Sequence, residues 1–255
     1  MNDLSIKWKD FYKNVFALVV PMALQNLINV GVTAADVVML GKVSEKVLSL
    51  AGQIQYIMVL FLFGLTSGAT VLTAQYWGKG DKAAIEKILA LGIRSAVIIT
   101  AIFTIAAFTI PASLMRIFTN DPQVIAEGVK YLRIVACSYI IMGITNVYLY
   151  VMRSIERVIV ATVVYLVSFL CNVVFNAIFI FGLFGFPALG IRGAAIATLI
   201  ARIMELVLVC GYAKIYNKDV KFRVHYFFHQ DKLLVRDFLV YSLPVVLNEV
   251  MWGLG

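Results

Sequence analysis

Charged side chains are scarce in this sequence. Asp, Glu, Lys and Arg make up 14% of its 255 residues, against roughly 25% in soluble globular chains. Apolar residues reach 62%, above the roughly 45–50% of such chains, so a soluble domain of this length would lack polar surface. The composition therefore excludes a soluble enzyme and predicts an integral membrane protein.

Histidine, cysteine and catalytic motifs are also scarce. His225 and His229 stand four residues apart in one polar loop, where the intervening aromatic residues favour an interfacial amphipathic stretch over a metal pair. Cys137, Cys171 and Cys210 lie in apolar stretches, which indicates neither a disulfide framework nor a metal site. The sequence has no phosphate-binding loop and no nucleophile elbow. We therefore expect that the protein is not an enzyme and that it binds no cofactor and no metal other than Na⁺ as a coupling ion.

Long apolar runs dominate what is present. A helix needs about 20 mostly apolar residues to cross roughly 30 Å of hydrocarbon. A seventh run begins near Asp237 and continues to the last residue, while six runs are complete: about 14–40, 47–75, 88–114, 124–151, 159–185 and 191–213. The pattern predicts an all-α fold, with a six-helix transmembrane lobe (1–213), a polar inter-lobe connector (214–236) and the start of a second lobe (237–255).

The basic residues are distributed unevenly between the two sides of these spans. With a cytoplasmic N-terminus, fourteen Lys and Arg residues fall in inner segments and only Lys42, Lys46, Arg116 and Arg192 in outer ones. Cytoplasmic loops carry such an excess, so the net charge of +8 indicates orientation in a membrane rather than nucleic-acid binding. We predict a multi-pass protein of the cell (inner) membrane that contacts the lipid bilayer and has no obligate protein partner.

One short internal repeat links the first and seventh runs. Aligning Pro21 on Pro244 pairs Gln25 with Asn248, and the next residue with Glu249. Both runs cross from inside to outside, so the match predicts parallel repeats of six helices, as in many transporters. Chance similarity is the alternative, because only one short stretch matches.

Polar residues at membrane depth are candidates for function, because they are costly to keep there. In the first run they are Gln25, Asn26, Asn29, Thr33 and Asp36, whose spacing of three to four residues puts them on one face of a helix. We expect this face to line a cavity, with Gln25, Asn29 and Thr33 in its wall. An interfacial carboxylate hydrated by lipid headgroups is the alternative for Asp36.

The fifth run has a similar polar face, formed by Ser168, Asn172 and Asn176 at successive i+4 positions. Two interpretations remain open for it. Amide side chains hydrogen-bond between spanning helices and hold them together, which is the simpler interpretation. Alternatively, their oxygens are ligands for an ion.

The sixth and seventh runs add further polar groups. Thr198, Arg202 and Glu205 share one face of the sixth, where we expect Arg202 and Glu205 to pair, and Glu249 lies at membrane depth in the seventh. A carboxylate with amide and hydroxyl oxygens is a ligand set for a hard monovalent cation. The same carboxylate could instead carry a proton.

Several short motifs, in their chain order, resemble the multidrug and toxic-compound extrusion (MATE) family of antiporters. They are Pro21 followed by Asp36-Val-Val-Met-Leu-Gly41, the turn Gln75-Tyr76-Trp77-Gly78-Lys79-Gly80-Asp81, the pair Asn172 and Asn176, the run Leu189-Gly190-Ile191-Arg192-Gly193-Ala194-Ala195-Ile196-Ala197-Thr198, and Asn248-Glu249 after Pro244. Their order and spacing across the whole chain carry the resemblance.

The resemblance implies two six-helix lobes around a central cavity, which export amphipathic, cationic organic compounds by alternating access driven by Na⁺ or H⁺. It implies that Asp36, Asn172, Asn176 and Thr198 form the cation or proton site of the N-terminal lobe, and that Glu249 is a second-lobe carboxylate. Some members have a carboxylate at the position of Asn176, so here Asp36 is left as the main titrating group. At 255 residues the chain is about half the length that the family implies.

Two other functions are compatible with a membrane bundle. A lipid-linked oligosaccharide flippase of the same superfamily needs clustered arginines for phosphate recognition, and only Arg94, Arg133 and Arg202 are candidates. A membrane-embedded enzyme needs a nucleophile–base pair or a metal triad at membrane depth, and the sequence shows none. Cation-coupled export is therefore the leading hypothesis.

Overall fold

The computed structural model describes residues 8–228 and 231–254. Within these ranges all regular structure is helical: α1 Trp8–Gly78, α2 Lys82–Thr109, α3 Pro111–Arg116, α4 Pro122–Val135, α5 Tyr139–Ser154, α6 Val158–Phe181, α7 Ile191–Ile215, α8 Val224–Phe228 and α9 Lys232–Leu254. The segments long and apolar enough to cross a membrane are Phe11–Leu40, Lys46–Gly78, Lys82–Thr109, Pro122–Ser154, Val158–Phe181 and Ile191–Ile215. These six spans confirm the prediction of an all-α membrane bundle.

Helix α1 contains two spans that run in opposite directions. In the first span, Gln25 hydrogen-bonds to the carbonyl of Val158 at the start of α6. Just after the second span, Lys82 pairs with Asp219, which also pairs with Arg157 beside Val158. Both ends of α1 thus lie at one end of the bundle, which we call the basic end.

The backbone between these two spans differs from the prediction. Residues 41–45 keep helical geometry, whereas the apolar runs 14–40 and 47–75 predicted a loop there. After Gly41 the stretch contains no glycine or proline, so no residue in it opposes helical geometry strongly. The predicted break between two spans that run in opposite directions is therefore present, and the structure differs from the prediction only in keeping local helical turns at 41–45.

Other helix ends coincide with residues that cap or break helices. The Asp81 carboxylate accepts a hydrogen bond from the amide of Ala84 and caps α2, and Asp121 caps α4 in the same way. Helix α2 ends at Thr109, earlier than predicted, because Pro111 has no amide hydrogen to continue it. Helix α6 ends at Phe181, and Gly182 follows it with a φ of 73°, a conformation that favours glycine.

Helices α6 and α7 approach each other unusually closely. A Cβ atom added to Gly193 at the start of α7 would lie 2.6 Å from the carbonyl carbon and oxygen of Phe179 on α6. Ala194, Ala195 and Ala197 are also buried, so small side chains continue the contact along α7. Small residues allow the backbones of membrane helices to approach, and this contact fixes the register of α6 against α7.

The polar connector is packed against the six spans rather than loose. Asn217 is buried: its amide nitrogen donates to the Tyr148 hydroxyl at 2.9 Å and to the Val220 carbonyl at 2.8 Å. Its carbonyl oxygen accepts from the amides of Asp219 and Val220, which closes a turn on one side chain. The side chain of Val220 belongs to the main hydrophobic core. The first part of the connector is therefore an integral piece of the bundle.

A buried carboxylate holds the next part of the connector. Glu86 of α2 accepts hydrogen bonds from the amide of Lys221 at 3.1 Å and from the Arg223 guanidinium at 2.6 Å. Helix α8 then packs on α2, and α9 packs on the second span of α1 and on α2. Helix α9 begins at Lys232, five residues before the predicted start at Asp237, and contains Pro244 as α1 contains Pro21.

Candidate cation site

A buried polar face runs along α6 toward its end at Phe181. Ser168, Asn172 and Asn176 all lie inside the bundle, with Asn172 2% exposed and Asn176 fully buried. Successive i+4 positions return to one side of a helix, which is why the three side chains share a face. In this half of α6 the face is directed at α7, because Ser168 and Asn172 both bond to residues of α7.

Three of the predicted site residues form one hydrogen-bonded cluster. The side-chain amide of Asn176 donates to the Asn172 carbonyl oxygen at 3.1 Å, and the Asn172 amide donates to the Thr198 hydroxyl at 3.5 Å. The side chain of Thr198 is half-buried. The cluster therefore brings amide and hydroxyl oxygens of α6 and α7 together five or more residues from the α6 end, at membrane depth.

Ser168 has a different role from the two asparagines. Its hydroxyl donates to the backbone carbonyl of Ala201 on α7 at 3.2 Å. This bond ties one helix to the next and satisfies the hydroxyl without any ligand. For Ser168 the geometry favours helix packing, and the ion-ligand interpretation is confined to Asn172, Asn176 and Thr198.

The side chains of Asn29, Thr33 and Asp36 lie outside the described part of the structure, but the α1 backbone that carries them is described. The Phe169 ring of α6 comes within 3.6 Å of a Cβ atom added to Gly31. The first span of α1 and α6 run in the same direction, since Gln25 is level with the start of α6. Asp36 is five residues, about 7.5 Å, beyond Gly31.

This register places the backbone of Asp36 level with the stretch of α6 between Asn172 and Asn176. The position also shares a helix face with Gln25, because the two are eleven residues apart, which is about three turns. Gln25 contacts α6, so the Cα atom of Asp36 lies on the α6 side of α1.

The side chain of Gln25 lies in the interface between α1 and α6. It is 1% exposed, and its side-chain amide donates to the Thr162 hydroxyl at 2.7 Å and the Val158 carbonyl at 3.3 Å. Its carbonyl oxygen is buried and has no hydrogen-bond partner among residues 8–228 and 231–254. The side chain therefore joins α1 to the first turn of α6 near the basic end, more than two turns of α6 away from the asparagine cluster.

A second buried cluster surrounds Glu205, two turns along α7 from Thr198. Arg202 donates to one carboxylate oxygen at 2.7 Å, which confirms the predicted pairing. The Thr145 hydroxyl of α5 donates to the other oxygen at 2.6 Å. Thr145 was missed from the sequence, since a single hydroxyl in an apolar run carries no periodic signal. The carboxylate is fully buried with both oxygens bonded, so it links α5 to α7.

Glu249 is not brought to the asparagine cluster. It is half-buried on α9, whose packing partners in the described part of the structure are α1 and α2. Across the described ranges, no three His, Cys, Asp or Glu side chains lie close enough to hold a metal ion. Asn172, Asn176 and Thr198, level with the backbone of Asp36, bring together amide and hydroxyl oxygens, which are of the type that binds hard cations.

Comparison with known proteins gives a consistent family. The MatE family profile matches residues 21–178. A "Probable multidrug resistance protein NorM" of Rhizobium meliloti is 27% identical over 210 residues, which cover 81% of this chain and 45% of the relative. A protein of the same name from Agrobacterium fabrum is 24% identical over 250 residues, or 95% of this chain and 54% of the relative. The chain spans about half the length of the curated relatives it matches.

Solved structures have the same fold. A MOP superfamily transporter from Pyrococcus furiosus superposes with a TM-score of 0.83 at 20% identity, covering 93% of this chain and 52% of that one. A MATE protein crystallised in a bent conformation gives a TM-score of 0.84 at 21% identity over 94% and 53% of the two chains. The family's members are transporters rather than enzymes, as predicted. With its profile matched over residues 21–178 and six helices long and apolar enough to span a membrane, the chain belongs to the MatE family.

Proposed function

We propose that this chain is the N-terminal lobe of an antiporter that exports amphipathic, mainly cationic, organic compounds in exchange for Na⁺ or H⁺. One observation carries the proposal. Asn172, Asn176 and Thr198 meet in a buried cluster at membrane depth, level with the backbone of Asp36. The names of the relatives, multidrug resistance proteins, support the class of exported compound.

The charge of this site suits one monovalent cation. Asp36 contributes one negative charge, and the two asparagines and Thr198 contribute only neutral oxygens. A Na⁺ ion bound there leaves no net charge in the bilayer interior, where an uncompensated charge costs roughly 2.5–3.5 kcal/mol. A proton on the carboxylate has the same effect, so Na⁺ and H⁺ compete for one site.

Coupling follows if the ion and the exported compound prefer different helix arrangements. A ligand shifts an equilibrium between two arrangements only by its difference in affinity for them. The cation binds better to one arrangement of the lobes, and the organic compound to the other. Glu249 contributes a separate carboxylate on the second-lobe side, since within the described ranges α9 packs on α1 and α2.

The decisive experiment replaces Asp36 by Asn in the full-length protein and measures ion-driven efflux from vesicles. The variant keeps the size of the side chain and removes its charge. We expect membrane insertion to be unchanged and ion-driven efflux to be lost. Full efflux by Asp36→Asn would refute the proposed site.

A second experiment separates ion binding from helix packing. Asn176→Ala removes an oxygen ligand, and we expect it to weaken the Na⁺ dependence of efflux more than the pH dependence. Ser168→Ala is the matched control, because it removes a buried hydroxyl from the same face of α6. That hydroxyl bonds to the backbone carbonyl of Ala201 and not to the asparagines. If both variants reduce the two dependences in parallel with thermal stability, the asparagines only hold helices together.

A flippase for lipid-linked oligosaccharides remains the second candidate. Its phosphate group would need several uncommitted arginines in one cavity. Arg202 is paired with Glu205, while Arg94 and Arg133 are exposed on the separate helices α2 and α4. Binding of a lipid-linked pyrophosphate that is abolished by Arg202→Gln, with no effect of organic cations, would favour this candidate over drug export.

A further inference from the structure

Helix α2 has one face that the bundle leaves uncovered, which we call the Arg94 face. Arg94 is exposed, and so are the isoleucines that follow it on the same side of the helix, Ile98, Ile102 and Ile105. The opposite side is buried in the bundle and contains Ile85, Leu89, Ala96 and Thr100. Because α2 is long and apolar enough to span a membrane, we expect its uncovered face to meet hydrocarbon.

Arg94 is the single charged residue in the apolar part of α2, residues 88–109. An isolated charge inside hydrocarbon is costly, so such an arginine pairs, reaches toward the boundary or draws headgroups and water inward. Among the side chains that the structure describes, no carboxylate pairs with Arg94. Side chains lean toward the N-terminus of their helix, which for α2 is the basic end. The guanidinium is therefore biased toward the membrane boundary at that end.

A second cation lies on the same face at this boundary. Lys87 precedes Arg94 by seven residues, which is two turns or about 10 Å, and it is the last charged residue before the apolar part of α2. Its ammonium nitrogen is 3.7 Å from the Asp231 carboxylate, and the two side chains are 37% and 47% exposed. An ion pair as exposed as this one is weak, so Lys87 remains available to another anion.

We propose that Lys87 and Arg94 bind the phosphate of an anionic phospholipid from the leaflet at the basic end. An arginine guanidinium matches phosphate with two parallel hydrogen bonds, and a lysine ammonium adds a point charge. One acyl chain of the lipid then passes Arg94 and covers Ile98, one turn deeper. A zwitterionic lipid suits the site less well, because its own headgroup cation neutralises the phosphate.

The second lobe is the rival source of an anion for Arg94. Its described part, α9, shares a hydrophobic cluster with Ile88 and Leu91 of α2. At 3.6 residues per turn, these two positions lie on average about 90° around the helix from Arg94. The described start of the second lobe therefore lies beside the Arg94 face and not over it, which favours the lipid. The proposal goes beyond the proposed function, because the Arg94 face contains no residue of the cation site.

The test measures which phospholipid contacts α2 beside Arg94. The full-length protein, with its native cysteines replaced by serine, carries a fluorophore on Ile98→Cys and is reconstituted with mixtures of phosphatidylglycerol and phosphatidylcholine. One of the two lipids has brominated acyl chains, which quench only a fluorophore that they contact. A second reporter, Ile105→Cys, lies on the same face about 10 Å further from the basic end and records the ordinary lipid environment. The measured quantity is the binding preference for phosphatidylglycerol over phosphatidylcholine at each reporter.

We expect a preference for phosphatidylglycerol at position 98 and none at position 105. Arg94→Gln should lower the preference at position 98 roughly fivefold, and Lys87→Gln by a similar factor, because each removes one cation near the phosphate. Arg94→Lys keeps the charge and should retain most of the preference. Arg133→Gln on α4 is the matched control, since it removes the charge of another exposed arginine and should change nothing at position 98.

The proposal is overturned if Arg94→Gln and Lys87→Gln keep the wild-type preference at position 98. Equal quenching by the two lipids at position 98, or no quenching there, would also overturn it, and the latter would indicate that the second lobe covers Arg94. The same preference at both reporters would show a general enrichment of anionic lipid and no site. Lys87→Gln removes only an exposed ion pair, so the test stands even if Arg94→Gln fails to fold.

Discussion

The Asp219 carboxylate lies 2.9 Å from the Lys82 ammonium nitrogen, although 137 residues separate them in the chain. Its other oxygen lies 3.1 Å from the Arg157 guanidinium, so one connector residue bridges the starts of α2 and α6. The Asp219 side chain is 25% exposed. The bridge is therefore partly screened by solvent, and its energy is modest.

Asp219→Asn should lower the free energy of unfolding by about 1 kcal/mol, because partly exposed ion pairs contribute at most about that each. Glu156→Gln is the matched control: it removes an exposed carboxylate at the same end of the bundle that has no ion pair within the described ranges. Thermal unfolding of the purified protein in detergent measures both. Equal stability of the two variants would show that the bridge contributes nothing.

The same bridge predicts a dependence on pH. Hydrogen bonds from Lys82 and then Arg157 hold the pKa of Asp219 below its ordinary value of 3.8. A lowered folded-state pKa means that the bridge stabilises the protein above pH 3.8, and that this contribution disappears as the pH falls through the lowered value. The stability difference between wild type and Asp219→Asn should persist from neutral pH to about pH 4 and close below it.

Cysteine labelling tests the orientation in the membrane. Lys218 at the basic end and Asn120 at the opposite end are both exposed. With a cytoplasmic N-terminus, an impermeant maleimide added to intact cells should label Asn120→Cys and not Lys218→Cys. Asn217 is unsuitable as a reporter, because its side chain is buried in the connector turn. Labelling of Lys218→Cys and not of Asn120→Cys would show that the orientation is the reverse of the predicted one.

Removing one partner of the buried ion pair should be severe. Glu205→Ala leaves Arg202 without its counter-charge and Thr145 without its acceptor, which should cost about 3–5 kcal/mol of stability. The double variant Arg202→Met with Glu205→Leu removes both charges and should be less damaging than Glu205→Ala alone. Unfolding in denaturant compares the two variants. A double variant that is the less stable would contradict the account of an unpaired buried charge.

The close contact between α6 and α7 depends on Gly193. A side chain there would meet the Phe179 backbone at 2.6 Å, so Gly193→Ala should destabilise by about 1–3 kcal/mol and separate Asn172 from Thr198. Gly211→Ala on the same helix has no atom within 4 Å of the added Cβ, and should be neutral or stabilise by about 0.5–1 kcal/mol. Melting temperatures of both variants measure the difference.

Periodicity and helix length are local properties, and they account for what the sequence predicts well. Asn172 and Asn176 share one face of α6 because they are four residues apart. This face meets Thr198 of α7 because consecutive spans pack as neighbours. The pairing of Arg202 with Glu205 follows from i+3 spacing in the same way. For these residues the sequence predicts the structure correctly.

Contacts that depend on which helices become neighbours could not be predicted. The approach of Ser242 to Gly68 joins residues far apart in the chain. A pair of glycines in one apolar run does not indicate which helix packs against it. The bond from Thr145 to Glu205 depends equally on tertiary packing. The helical turns of residues 41–45 were not predicted, because charged residues between two spans suggest a loop, yet lysine and glutamate are also good helix formers.

The buried Asn217 turn changes how the chain could be cut or extended in the laboratory. By composition, residues 214–228 look like the natural place for an affinity tag, a protease site or a split into two fragments. Insertions are tolerated where the backbone is exposed and unbonded, whereas Asn217 and Val220 are buried and the amide of Lys221 donates to the Glu86 carboxylate. The turn at 183–188 between α6 and α7 is exposed throughout, and its Phe186 amide bonds to Leu183 within the same turn, so it is the better site for an inserted tag or fusion partner.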